Sequence, residues 1–211
     1  MTSAQFKVDD ALVAQVTDHV RDYMSHYDGS HDFNHIQRVL RLALHIQSHT
    51  PAASRPVVTL CALLHDVGDA KYLQPGQDSG IMVRDMLLSF GADDALAAKV
   101  QTVCLGVSYS AEMRDREHVA RLIEAHPELA VVQDADRLDA IGAVGIGRAF
   151  AFGGARGRQL AETMDHFEQK LLRLEGMMKT AEGRRLARVR TARLEAMQQW
   201  WHDETEGVSL D

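Results

Sequence analysis

Apolar residues three and four positions apart recur along almost the whole chain, and no sustained run alternates apolar with polar residues between turn signals. A strand needs a period of two and a helix one near 3.6, so this pattern predicts an all-α fold, a compact multi-helix bundle. Leu12, Val13, Val16, Val20 and Met24 share one stripe over about 8–27, which Gly29-Ser30 breaks. A second helix, capped by Asp32 or Asn34, carries Ile36, Val39, Leu40, Ala43, Leu44 and Ile46 and closes before Pro51. The third follows Pro56, with Val57, Leu60, Cys61 and Leu64 at helical spacing and Gly68 as its stop.

Gln74-Pro75-Gly76-Gln77 signals a turn, and amphipathic stretches follow near 79–90 and 93–105. Residues 108–116 read as a polar loop. A helical pattern occupies 117–125, and Pro127 starts another that passes Asp134 and Asp136 towards Ile141. Six of the fifteen glycines fall within 142–158, and two long helices are expected over 159–179 and 181–201. The 211 residues are read as one domain, with the C-terminal helices, about 159–205, packed on the core.

A hydrophobic fraction of 45% is enough for that core, and a formal net charge of -7 argues against general affinity for nucleic acid or anionic membrane. Cys61 and Cys104 lie in apolar periodic segments, as small core residues rather than a disulfide framework. With no signal-like stretch and no uncharged run long enough to span a bilayer, a cytoplasmic location away from membranes is expected.

One stretch carries chemistry. Leu63-Leu64 runs into His65-Asp66-Val67-Gly68-Asp69, a hydrophobic segment ending in two metal-competent side chains and a further carboxylate. Two other patches offer partners: His31-Asp32-Phe33-Asn34-His35 and Asp134-Ala135-Asp136-Arg137-Leu138-Asp139. His31 and His35 are one helical turn apart and could face the same way. His65 and Asp66 stand about 100° apart around a helix, so they converge on one ion only in the angle between them or where the helix end loosens. Asp134 and Asp136 diverge on a helix, so one of them is the ligand; Asp136 is favoured, leaving Asp134 as a neighbouring carboxylate. His35, His65, Asp66 and Asp136 would give one divalent ion a near-neutral mixed nitrogen and oxygen shell. Open positions for water and a substrate oxygen suit Mn²⁺, Ni²⁺, Fe²⁺ or Mg²⁺ better than a closed zinc site.

The order His35, His65-Asp66, Asp136 resembles the H…HD…D signature of the HD-domain metal-dependent phosphohydrolases. Gly29 to His35, His65 to Tyr72, Asp134 to Arg148 and His166-Phe-Glu-Gln-Lys170-Leu-Leu resemble its YpgQ/YedJ-like branch, so the likeness covers most of the chain. It implies an all-α HD-domain bundle and hydrolysis of phosphate esters or anhydrides. In this branch the implied reaction takes a nucleoside triphosphate to monophosphate and pyrophosphate. The further adjacent His-His pair of dinuclear HD phosphodiesterases is missing.

Around the ion, Asp69 either orients or deprotonates the attacking water or is a loop carboxylate paired with Lys71. His31 is either a proton donor to the leaving group or a plain helix-start histidine. Lys71 and Arg148 are the first candidates to hold phosphates, followed by Lys170 and Arg190. Those last two belong to a segment, 156–193, with ten Lys/Arg against five acids. The glycine stretch, which lacks a P-loop ending, either brings backbone amides to phosphate, packs helices closely or forms a lid.

The expected function is therefore metal-dependent hydrolysis of a small phosphorylated substrate, a nucleotide, by a monomer or homodimer. A nucleoside 5'-monophosphatase and a guanosine-tetraphosphate hydrolase are the alternatives within that chemistry. A nucleotide-binding signalling module and a purely structural helical protein stand outside it.

Overall fold

A computed structural model describes residues 6, 8–25, 32–69, 73 and 75–205. Among them there are helices and no strand, in the order α1 (Asp10–Met24), α2 (Phe33–Ser48), α3 (Arg55–Leu64), α4 (Met82–Ser89), α5 (Asp94–Val107), α6 (Tyr109–Arg114), α7 (Arg116–Ala125), α8 (Pro127–Asp139), α9 (Gly142–Ala155), α10 (Leu160–Gln169) and α11 (Ala181–Thr205). Among the described residues no single helix is long and apolar enough to cross a membrane.

The centre of the molecule is α3, which packs against α1, α2, α5 and α8. Val57, Val58, Leu60, Cys61, Ala62, Leu63 and Leu64 are all buried, as expected of a helix that is apolar on every side. Beside it, α8 buries polar as well as apolar residues: Gln133, Asp134, Arg137 and Asp139 are at most 2% exposed. Burying these groups demands partners, and finding them explains much of the fold. Asp32 caps α2, its carboxylate accepting from the His35 N–H. Both cysteines are buried and free.

Two expectations require correction, and one open alternative is decided. Residues 109–114 are helical rather than a polar loop: the Ser108 hydroxyl accepts from the Ala111 N–H, and Asp115 caps the next helix in turn. On α6, Glu112 is buried and receives both Arg137 and Lys179. The single helix expected over 159–179 ends at Gln169, and two short 3₁₀ turns, Leu171–Arg173 and Glu175–Met177, follow it. The glycine stretch is the helix α9, where a Cβ on Gly145 would sit 2.2 Å from the Ala140 carbonyl oxygen; close packing accounts for that glycine.

Asp134 fixes where α11 starts. Its carboxylate accepts from the backbone N–H of Lys179 and of Thr180, both at 2.8 Å, and from the Thr180 hydroxyl at 2.7 Å. Thr180 in turn accepts from the Gly183 N–H at 2.9 Å, so a buried acid on α8 anchors the cap of α11. Asp134→Ala would strand several buried donors at once, and a stability loss of about 3 kcal/mol is expected in a denaturant melt. Metal content should be unchanged, because this carboxylate serves a helix start and not the centre described next.

Candidate metal centre

The end of α3 resolves the geometric difficulty with His65 and Asp66. His65 caps the helix, and the chain continues as a turn in which the Val67 N–H reaches the Leu64 carbonyl and the Asp69 N–H that of Asp66. Gly68 lies at φ +80, where a side chain would strain the backbone. The two side chains therefore meet at a loosened helix end, not across a regular turn of helix.

Each imidazole is aimed by a bond at its other nitrogen. His65 Nδ1–H donates to the Ala62 carbonyl at 2.9 Å, and His35 Nδ1–H donates to Asp139 Oδ2 at 2.8 Å. In the neutral rings this leaves the lone pair on Nε2, the usual arrangement for metal-ligating histidine. The two Nε2 atoms face one another at 3.2 Å. Asp66 approaches His35 Nε2 at 3.4 Å through Oδ2 and His65 Nε2 at 3.5 Å through Oδ1. Asp136 Oδ1 lies 3.5 Å from His35 Nε2 and 3.8 Å from His65 Nε2.

These spacings fit a cation. Donors about 2.1 Å from one ion stand roughly 3.0 Å apart at neighbouring octahedral corners and roughly 3.4 Å apart at tetrahedral ones. His35, His65 and Asp66 present ligand atoms all within 4.8 Å of one another, and Asp136 stands against the two imidazoles; lone pairs and carboxylates so placed repel unless a positive charge sits among them. Burial works against a charged His35 ring, yet the hydrogen bond to Asp139 and the bond and charge of Asp66 outweigh it and raise its pKa to about 9. The centre calls for positive charge, which a proton or a divalent ion supplies.

Behind His35 lies a residue to which the sequence reading assigned no role. Asp139, the last residue of α8, is 1% exposed and accepts from His35, from Arg38 Nε (2.8 Å) and Nη2 (3.0 Å), and from Arg148 Nη1 (3.0 Å). Burial opposes its charge, but the bonds from His35 and Arg38 more than offset this and hold the carboxyl well below the ordinary carboxylate range. A signal was present: Arg38 follows His35, and Asp139 follows Asp136, each by three residues and so on one helix face.

The centre opens into a cavity of ≈ 490 Å³ whose lining includes His35, His65, Asp66, Asp69 and Asp136, together with Arg148 and Lys170. Tyr109 and Arg114 of α6 also line it, and Lys170 Nζ lies 4.8 Å from the centroid of the Tyr109 ring. Both were missed because that segment reads as loop. Arg190 corrects the expectation of a phosphate contact: it is absent from this lining, and its guanidinium donates to the Leu138 carbonyl at the end of α8. That carbonyl also accepts from the Ile141 N–H at 3.3 Å, so Arg190 adds a side-chain bond to the closing turn of α8. Asp134 is turned away, towards Thr180. His31 and Lys71 lie outside the described residues.

The chain is similar to known proteins in sequence and in fold. The family model described as the HD domain matches residues 32–141, a span that holds all four candidate ligands and Asp139. YpgQ from Bacillus subtilis (strain 168) is 38% identical over 180 residues, 83% of this chain and 85% of that protein. The crystal structure of YpgQ in complex with ADP superposes with a TM-score of 0.76 at 33% identity, covering 93% of this chain and 96% of that one. An HD-superfamily hydrolase from Bacillus thuringiensis gives a TM-score of 0.69 at 28% identity, over 91% and 95% of the two chains. The chain belongs to the HD-domain family of metal-dependent phosphohydrolases.

Proposed function

We propose that this chain hydrolyses (deoxy)nucleoside triphosphates to the monophosphate and pyrophosphate, with one divalent ion held by His35, His65, Asp66 and Asp136. The observation that carries this reading is the joining of that donor set to a cavity with Arg114, Arg148 and Lys170 in its wall. The cavity, ≈ 490 Å³, falls in the range of small-molecule sites. The ADP bound by YpgQ supports a nucleotide as the ligand.

A bound Mn²⁺, Ni²⁺, Fe²⁺ or Mg²⁺ supplies Lewis acidity towards a phosphoryl oxygen and makes water in its shell more acidic. The chain's own residues do the rest. Asp69, in the cavity wall three residues beyond Asp66, orients the attacking water and takes its proton. The water oxygen bonds to the α-phosphorus, the bond from that phosphorus to the bridging oxygen breaks, and pyrophosphate leaves. Arg148 and Lys170 neutralise the phosphate chain, with Lys71 assisting, and His31 donates a proton to the leaving group. Arg148 already bonds Asp139, so the group that holds phosphate also touches the carboxylate that positions His35.

A panel of nucleoside mono-, di- and triphosphates with Mn²⁺, Ni²⁺ and Mg²⁺ tests the reading, with phosphate and pyrophosphate measured separately. Equimolar pyrophosphate and monophosphate from triphosphates is the expected result; free phosphate from monophosphates, or removal of a 3'-diphosphate, would replace it with one of the alternatives. Asp69→Ala should retain the ion and lower kcat by roughly 10²–10⁴-fold, the usual worth of a general base. Unchanged turnover would return Asp69 to a structural loop role.

A further inference from the structure

The far end of α2 carries metal-competent side chains that the hydrolytic centre does not use. His45 is in the last turn of α2, His49 caps that helix, and Glu182 lies in the first turn of α11. One ligand atom from each of the three lies within 4.8 Å of the other two. The His45 and His49 rings are 5.0 Å apart between centroids, tilted by 55°, and His45 Nε2 stands 2.7 Å from Glu182 Oε1. His45 is ten residues beyond His35, about 15 Å along the helix axis, so this cluster is separate from the catalytic cavity.

We propose that His45, His49 and Glu182 form a second divalent-cation site, taking ions that favour imidazole such as Zn²⁺ or Ni²⁺ and tying the end of α2 to the start of α11. Two imidazoles one helical turn apart, joined by a carboxylate from a neighbouring helix, form a ligand set suited to these ions. His49 Nδ1–H donates to the His45 carbonyl at 3.0 Å, which keeps the lone pair of the neutral ring on Nε2. A cation displaces the proton held between His45 Nε2 and Glu182; as that proton leaves to solvent the neutral ring takes one up at Nδ1, with no net proton released, and Nε2 and the carboxylate then bind the ion. Two forked bonds from Arg185 and the bond to His45 hold the Glu182 carboxylate in place. The last carbonyls of α2 add partial negative charge beside a bound cation. Three protein ligands leave the remaining positions to water and make the site weaker than a closed four-ligand one. Arg185 opposes the ion by like charge, and its removal should tighten binding.

The proposal is independent of the hydrolytic reading. Chelator-stripped full-length chain is dialysed against Zn²⁺ and its bound metal counted. His45→Ala/His49→Ala should take up about one ion fewer per chain than wild type, with Mn²⁺-supported hydrolysis within about twofold of normal. His65→Ala, which breaks the catalytic centre, should keep the second ion, and Zn²⁺ should still raise its thermal midpoint. Arg185→Ala should bind the second ion several-fold more tightly. Equal Zn²⁺ uptake by wild type and the double variant, or a Zn²⁺-induced rise in midpoint that survives His45→Ala/His49→Ala in the His65→Ala background, overturns the proposal. Neither outcome touches the catalytic centre.

Discussion

His65→Ala and Asp66→Ala are each expected to lose the divalent ion and hydrolysis together while the far-ultraviolet helical signal persists. Each of these side chains sits 3.4–3.5 Å from an opposing donor, so either truncation opens one side of the shell. Removing a single electrostatic stabiliser from an active site costs roughly 10²–10³-fold in kcat. Loss of the ion removes the largest such stabiliser, so activity should fall by at least about 10³-fold. The fold should survive, because His65 lies just past the last residue of α3 and the bond from its ring to the Ala62 carbonyl is worth roughly 1 kcal/mol. Near-normal activity in either variant, measured beside bound metal, would contradict the assignment.

Asp139→Asn is the second change of large effect, and it leaves all four ligands intact. The carboxylate carries the hydrogen bond that orients His35 and the charge that balances Arg38 and Arg148. An amide of the same shape presents one oxygen where four N–H donors from three side chains now converge on two. His35 then loses part of its fixed orientation, and outer partners of this kind are worth roughly 10–100-fold in metal affinity. Leaving the two arginines without their buried counter-charge should cost about 3 kcal/mol of stability. Activity at limiting Mn²⁺ should collapse and partly return at saturating Mn²⁺, whereas Asp66→Ala should not recover. Full activity of Asp139→Asn at limiting metal would show that His35 is positioned by something else.

The all-α class and the convergence of His35, His65, Asp66 and Asp136 were legible because each rests on local information: apolar spacing, a helix end at Gly68 and donor types in order. The parts that were not legible depend on pairings distant in sequence. The α6 segment reads as loop because its inward-facing residue is Glu112, and its partners Arg137 and Lys179 lie 25 and 67 positions away. Nothing in hydropathy distinguishes a glutamate facing a buried arginine from one facing water. The start of α11 is fixed by Asp134, 46 positions before Thr180, a pairing that the helical spacing running through 159–179 does not reveal. Arg190 reads as a phosphate-binding cation because sequence shows its charge and not the Leu138 carbonyl that claims it. Asp139 was in view within Asp134-Ala-Asp-Arg-Leu-Asp139, but its role depends on Arg38 and Arg148 meeting it from two other helices.

The most direct test of the account is diffraction from crystals of the Mn²⁺-loaded chain, with data collected at the manganese absorption edge. One strong anomalous peak is expected at about 2.0–2.3 Å from His35 Nε2, His65 Nε2, Asp66 and Asp136, with water completing the shell. A fully loaded crystal with no peak among these four side chains would contradict it.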